Sequence, residues 1–208
     1  MNLPFPFAYP ARAHKRLHGP KGYTDYGSYK PFLRDEFAFR CVFCLERELW
    51  YPNRAASFSV EHFAPKSTDA VKECDYENLF YACVRCNSFK QTKITRLDPT
   101  RVAYADHFRV DVNGLIEGLS NDAKKLIDVL HLNDPPALDQ RQMILELLKL
   151  KQQHPHDNGV NSIFLSRFKY PEDLPNLALL KPKENTRPEG IKASHFARRS
   201  RNELPDVY

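Results

Sequence analysis

The sequence predicts an α+β fold in which a small strand-and-helix core, pinned by four cysteines, sits inside a mostly helical domain. Three observations predict it. Cys41-Val-Phe-Cys44 and Cys83-Val-Arg-Cys86 are two paired-cysteine knuckles with 38 residues between them. Between the knuckles, Ser57-Phe-Ser-Val-Glu-His62 alternates side chains in the way of a half-buried strand, with Phe58, Val60 and His62 on one face and Glu61 on the other. Beyond residue 119 the period becomes helical: Ala123, Leu126, Ile127 and Leu130 share one stripe, and Met143, Ile144, Leu147 and Leu148 another.

The 208 residues suffice for one ordinary domain with an appendage and exclude a large multidomain machine. With 42% hydrophobic and 12% aromatic residues the chain can bury a core. No apolar run approaches the roughly 18 residues of a membrane-spanning helix, so no membrane partner is expected. The first twenty residues are interrupted by prolines and basic side chains and do not read as a secretory signal, which predicts a cytoplasmic protein.

Residues 1–30, rich in Pro, Gly and Tyr, read as an irregular arm ending in an aromatic cluster of Tyr23, Tyr26 and Tyr29. Residues 31–101 form the core: Pro31 suits a first helical position, and Phe32, Leu33, Phe37 and Phe39 make an apolar stripe leading into Cys41. Residues 102–180 form a hairpin and helical part. There Phe108, Val110 and Val112 precede Asn113-Gly114, the signature of a two-residue turn with both positions at positive φ. Ser120 caps the first helix, Asp134-Pro135-Pro136 separates it from the second, and the second covers roughly 137–152. Residues 181–208, with Arg198, Arg199 and Arg201, read as a basic tail. Basic and acidic side chains number seven and three in 1–40, seventeen and nineteen in 41–180, and seven and four in 181–208, so both ends are basic.

Five cysteines leave one over from any disulfide set, and the paired spacing points to metal instead. Zn²⁺ takes four soft ligands at tetrahedral corners, and Cys41, Cys44, Cys83 and Cys86 supply them from two turns. Four thiolates leave no open position for water, so this Zn²⁺ is expected to be structural. Cys74 belongs to neither pair.

The knuckles enclose Val60-Glu61-His62-Phe63-Ala64-Pro65-Lys66 and Glu77-Asn78-Leu79, and Asn87 and Lys90 follow Cys86. This pattern, an acidic residue and His, then Asn-Leu, then C-x-x-C-N-x-x-K, resembles the HNH endonuclease family in its zinc-knuckle form, over residues 38–95. It also resembles the nuclease subunit of Septu-type antiphage systems. The resemblance implies a ββα-metal motif, a metal-dependent endonuclease acting on DNA, and a defence role beside an ATPase or other subunit. It implies that Asn78 orients the His62 imidazole through a loop contact and that Glu61 and Asn87 hold one Mg²⁺ or Mn²⁺. Glu61 stands where Asp or His is more usual and Asn87 where His is, which makes transition ions less favoured.

The residues make chemical sense on their own terms. Hydrolysis of a phosphodiester needs an activated water in line with the leaving 3′ oxygen, and an imidazole that is partly neutral at working pH can take the proton, so His62 is assigned as general base. Lys66, Arg85, Lys90, Lys93 and Arg96 are read as phosphate contacts; from residue 85 to 101, Arg101 included, five cations are opposed by Asp98 alone. The alternation sets one constraint. On a regular strand Glu61 and His62 face opposite sides, and a bend at Phe63-Ala64-Pro65 would be needed to bring both to one phosphate. The alternative reading is a zinc-stabilised nucleic-acid-binding module without catalysis.

Overall fold

The computed structural model describes residues 5–68 and 70–208. The N-terminal arm runs across the molecule, burying Phe7 and Tyr9 as well as Arg16 and His18, into a two-residue strand β1 (Pro20–Lys21). A 3-10 turn at Tyr26–Tyr29, capped by the Asp25 carboxylate, feeds α1 (Lys30–Glu36). Pro31 sits in the first turn, where a missing N–H is no loss. The apolar stripe stops short of Phe39 because Ala38 and Phe39 take positive φ (48° and 59°), which turns the chain into the first knuckle.

β2 (Phe58–His62) pairs antiparallel with β3 (Leu79–Cys83), from Phe58 opposite Cys83 to His62 opposite Leu79. All five β3 residues are buried, so this strand reads as a continuous apolar run where β2 alternates. α2 (Val84–Lys90) follows β3 without a loop and packs on both strands. Cys83 is its N-cap, the Sγ accepting the Cys86 N–H at 3.4 Å, and Gln91 ends it with φ 46°.

β4 (Phe108–Val110) and β5 (Ile116–Gly118) form the expected hairpin with a different turn. Only Gly114 takes positive φ (85°). Asp111 donates its N–H to the Leu115 carbonyl at 2.9 Å, and Asp111 Oδ1 accepts the N–H groups of Asn113 and Leu115, both at 2.8 Å. The Asp111 side chain thus builds a three-residue loop with Gly114 in the left-handed position, in place of a two-residue turn. Val112 lies in that loop, 86% exposed.

α3 (Asn121–Leu130) is capped by Ser120 Oγ, which accepts the Ala123 N–H at 3.2 Å. α4 (Pro135–Gln153) begins at the prolines themselves, because they fill its first turn. Its buried face is Ala137, Arg141, Ile144 and Leu148; Met143 is 56% exposed, a correction to the expected stripe. α5 (Asn158–Phe168) packs on α4. Among the described residues no helix is long and apolar enough to cross a membrane.

The segment read as a basic tail is built into the fold. β6 (Glu184–Asn185) pairs with β1, and α6 (Glu189–Ala193) and α7 (His195–Ser200) follow. Gly190 is so close to the arm that a Cβ would sit 2.1 Å from the Leu17 carbonyl oxygen. The last two residues of α1 tie both segments down. Asp35 accepts from His18 Nε2 at 2.8 Å, His195 Nδ1 at 3.0 Å and the His195 N–H at 2.7 Å. Glu36 meets His14 Nε2 and the Leu17 N–H, each at 2.7 Å, and the His18 N–H and Tyr76 hydroxyl, each at 3.0 Å.

Candidate functional site

The two knuckles converge because each is folded locally and one backbone bond joins them. In the first, Leu45 at φ 62° returns its N–H to the Cys41 carbonyl at 3.0 Å, and Cys41 donates its N–H to the Glu46 carbonyl at 2.8 Å. Val42 then donates to the Tyr81 carbonyl at 2.9 Å, which lays this loop against β3 beside the second pair. The four sulfurs lie within 4.8 Å of one another, all buried, with Cys44 and Cys83 3.7 Å apart. Tetrahedral zinc with Zn–S near 2.3 Å separates its sulfurs by about 3.8 Å, so the thiols form a site that can hold a metal ion such as zinc. Cys74, as expected, stands outside the cluster.

His62 ends β2, half-buried, with Tyr26 edge-on at 4.9 Å between ring centroids. Its Nε2 lies 2.9 Å from the Glu73 carbonyl oxygen. A carbonyl only accepts, so Nε2 carries the proton, and in the neutral ring the lone pair is on Nδ1. Burial lowers the pKa of His62; the Glu73 carbonyl opposes this, and Lys66 and Lys90 add to it. Asn78 fixes the loop that supplies this carbonyl. Its Oδ1 accepts the Ala64 N–H at 2.8 Å, and its Nδ2 donates to the carbonyls of Ala64 at 3.0 Å and Lys72 at 3.2 Å. The side-chain amide therefore clasps both arms of the 63–73 loop, one residue from the carbonyl that orients His62.

β2 stays regular through His62 and the chain bends only after it, so Glu61 faces α2 while His62 faces Tyr26, and the expected bend does not bring the two side chains to one side. Glu61, 3% exposed, accepts from Lys90 Nζ at 2.6 Å. Burial raises its pKa, opposed by the Lys90 charge and hydrogen bond. Asn87, one turn before Lys90 on α2, donates Nδ2 to Ser59 Oγ at 2.7 Å. Glu61 and Asn87 thus open into the same β2–α2 interface, and a carboxylate with an amide oxygen suits a hard divalent cation in kind. Neither contacts the other directly: Lys90 holds one and Ser59 the other.

Of the cations read as phosphate contacts, Lys66, Lys93 and Arg96 are exposed. Lys66 lies 3.5 Å from Glu73 and 5.2 Å from the Tyr26 ring centroid. Lys90 is corrected: fully buried, it cannot reach a backbone phosphate. Arg85 is half-buried and donates to the His131 carbonyl at 3.2 Å. Burial lowers its pKa, and its neighbours Cys86, Cys44, Glu46 and Cys83 act in the opposite direction and raise it. Ser59 and the Glu73 carbonyl were not singled out from the sequence, and Tyr26 reads there only as part of the aromatic cluster that ends the arm. Alternation could have flagged Ser59, two residues before Glu61 on one strand face; a backbone carbonyl leaves no sequence signal.

No protein-family model matches the chain. It is similar to "Retron Vc95 putative HNH endonuclease" of Vibrio cholerae serotype O1 biovar El Tor. The two are 26% identical over 171 residues, covering 70% of this chain and 81% of the relative. This distant similarity supports the resemblance of the 38–95 motif to the HNH family and a nuclease reading of the chain.

Proposed function

We propose that this protein is a metal-dependent HNH endonuclease that hydrolyses DNA phosphodiester bonds, with the β2–β3–α2 unit as its ββα-metal motif. The observation that carries the reading is the state of His62: Nε2 is engaged by the Glu73 carbonyl, so Nδ1 is left to accept a proton. His62 acts as general base, taking the proton of a water that attacks the phosphorus in line with the leaving 3′ oxygen. Asn78 is a positioning residue that holds the loop against the ring. Lys66, Lys93 and Arg96 are exposed cations that bind backbone phosphates, a contact without base readout. Glu61 and Asn87 would hold one Mg²⁺ or Mn²⁺, which when bound supplies charge to offset the negative charge developing on the phosphate; with Glu61 on the β2 face opposite His62, this reading requires the end of β2 to rearrange when ion and phosphate are bound. Zn²⁺ on Cys41, Cys44, Cys83 and Cys86 holds the motif together and takes no part in chemistry.

The resemblance to Septu-type nuclease subunits extends the proposal to an antiphage effector working with an ATPase or other partner. The test is conversion of supercoiled plasmid to nicked or linear forms. Zinc-loaded protein is expected to convert it with Mg²⁺ or Mn²⁺ and to stop on their removal. A salt-dependent gel shift with no cleavage under any divalent ion, alone or with neighbouring gene products, would favour a zinc-stabilised nucleic-acid-binding module instead.

A further inference from the structure

Lys90 is a charge in an unusual place. Its side chain is fully buried, and its ammonium lies 2.6 Å from Glu61 Oε1 and 2.7 Å from the His62 carbonyl oxygen. An ordinary helix-face lysine would keep its head in water, and a buried one is tolerated only when a partner offsets the lost hydration. Here the partner is a carboxylate already assigned to a divalent ion, and the ammonium enters the interface where Asn87, three residues earlier on α2, meets Ser59. The ammonium holds Oε1 of this carboxylate and repels a divalent ion placed on either of its oxygens, so ammonium and metal compete for the same negative charge.

We propose that Lys90 is a resident counterion that sets the divalent-ion affinity of Glu61, and that its ammonium must withdraw before an ion is held there. This rests on the reading of Glu61 as a ligand. Because the same ammonium grips the His62 carbonyl, its withdrawal releases the backbone of the proposed base, and ion binding is thereby coupled to the freedom of the β2 end. Lys90 is a positioning residue in this scheme and touches no substrate.

The test is Mn²⁺ binding to the zinc-loaded full chain, read by the electron paramagnetic resonance of free Mn²⁺, with zinc content and circular dichroism as checks on folding. Lys90→Met is expected to bind Mn²⁺ at least about tenfold more tightly than the wild type, the scale on which a close charge alters a carboxylate's preference. Adding Glu61→Gln should remove the gain. A folded Lys90→Met protein that binds no more tightly overturns the inference. If Glu61→Gln alone still weakens wild-type binding, Glu61 stands as a ligand and only the role of Lys90 falls. If Glu61→Gln alone changes nothing, the ligand assignment fails and the inference with it. The wild type gives a second measurement independent of any variant. At saturating Mg²⁺ the ¹⁵N resonance of the Lys90 ammonium should shift and its protons exchange faster with water, and a resonance unmoved by Mg²⁺ overturns the proposal.

Discussion

The pKa of His62 is governed mainly by burial, which disfavours the imidazolium, and Lys66 and Lys90 push in the same direction against the Glu73 carbonyl. The base form is the neutral ring. On the proposed role of His62, activity is expected to rise with pH through its folded-state pKa, which lies below the ordinary value of about 6.5, and to be lost as pH falls through it. The acid limb of the kcat/KM profile for plasmid nicking is expected below that value, and Lys66→Met should move it upward; a limb above it would contradict the assignment. Asn78 is 7% exposed and makes three hydrogen bonds with the loop. Asn78→Ala should lower stability by about 1–3 kcal/mol, since buried carbonyls and an N–H lose their partner. A merely structural role would leave the pH profile in place. Loosening the Glu73 carbonyl and exposing the ring should instead shift the acid limb toward the ordinary histidine value, as stopped-flow or gel kinetics across pH would reveal.

The strand pair and α2 depend on the cysteine site more than the later helices do. The Val42-to-Tyr81 backbone bond, the Tyr81 hydroxyl on Glu48 and the cysteine cluster bring the first knuckle to β3, whereas α4 and α5 pack on each other directly. Chelation of zinc is expected to expose the amides of 58–62 and 79–90 to hydrogen exchange before those of 135–168, and Cys83→Ser should do the same. Simultaneous loss of protection everywhere would mean that the helices share the dependence. The cysteine spacing and the β2 alternation were readable because each is local: a metal's demand for four soft ligands and a strand's period of two both leave marks in sequence. The Lys90–Glu61 pair was not, because a lysine one turn after Asn87 reads equally as a solvent-facing phosphate contact until the depth of α2 against β2 is known. The hairpin turn was misread for a similar reason, the Asp111 side chain having claimed the N–H groups that a two-residue turn would leave to the strands.

At the scale of the whole chain, the two basic ends are held to α1 rather than left in solvent. Burial alone would raise the Asp35 carboxyl, and hydrogen bonds from His18 and His195, with their charge, hold it below the ordinary carboxylate range. A depressed carboxylate contributes stability that is present above its unfolded value of about 4 and is lost as pH falls through the folded one. Asp35→Asn is expected to cost about 1–3 kcal/mol at pH 7 in urea unfolding, as buried donors lose a charged acceptor, and to flatten the dependence of stability on pH below 4. Net charge predicted the basic ends but not their docking, since His18 and His195 are 177 positions apart and nothing in either segment names Asp35 as their common partner. On the proposed reading, the whole molecule serves to present the half-buried His62 imidazole beside a clasped loop. The most direct measurement of that claim compares the single-turnover plasmid cleavage rate of the wild type with that of His62→Ala, both with Mg²⁺ and at equal zinc content. A fall of about 10²–10⁴, the usual worth of a general base, is the expected result; cleavage by the variant at the wild-type rate would contradict it.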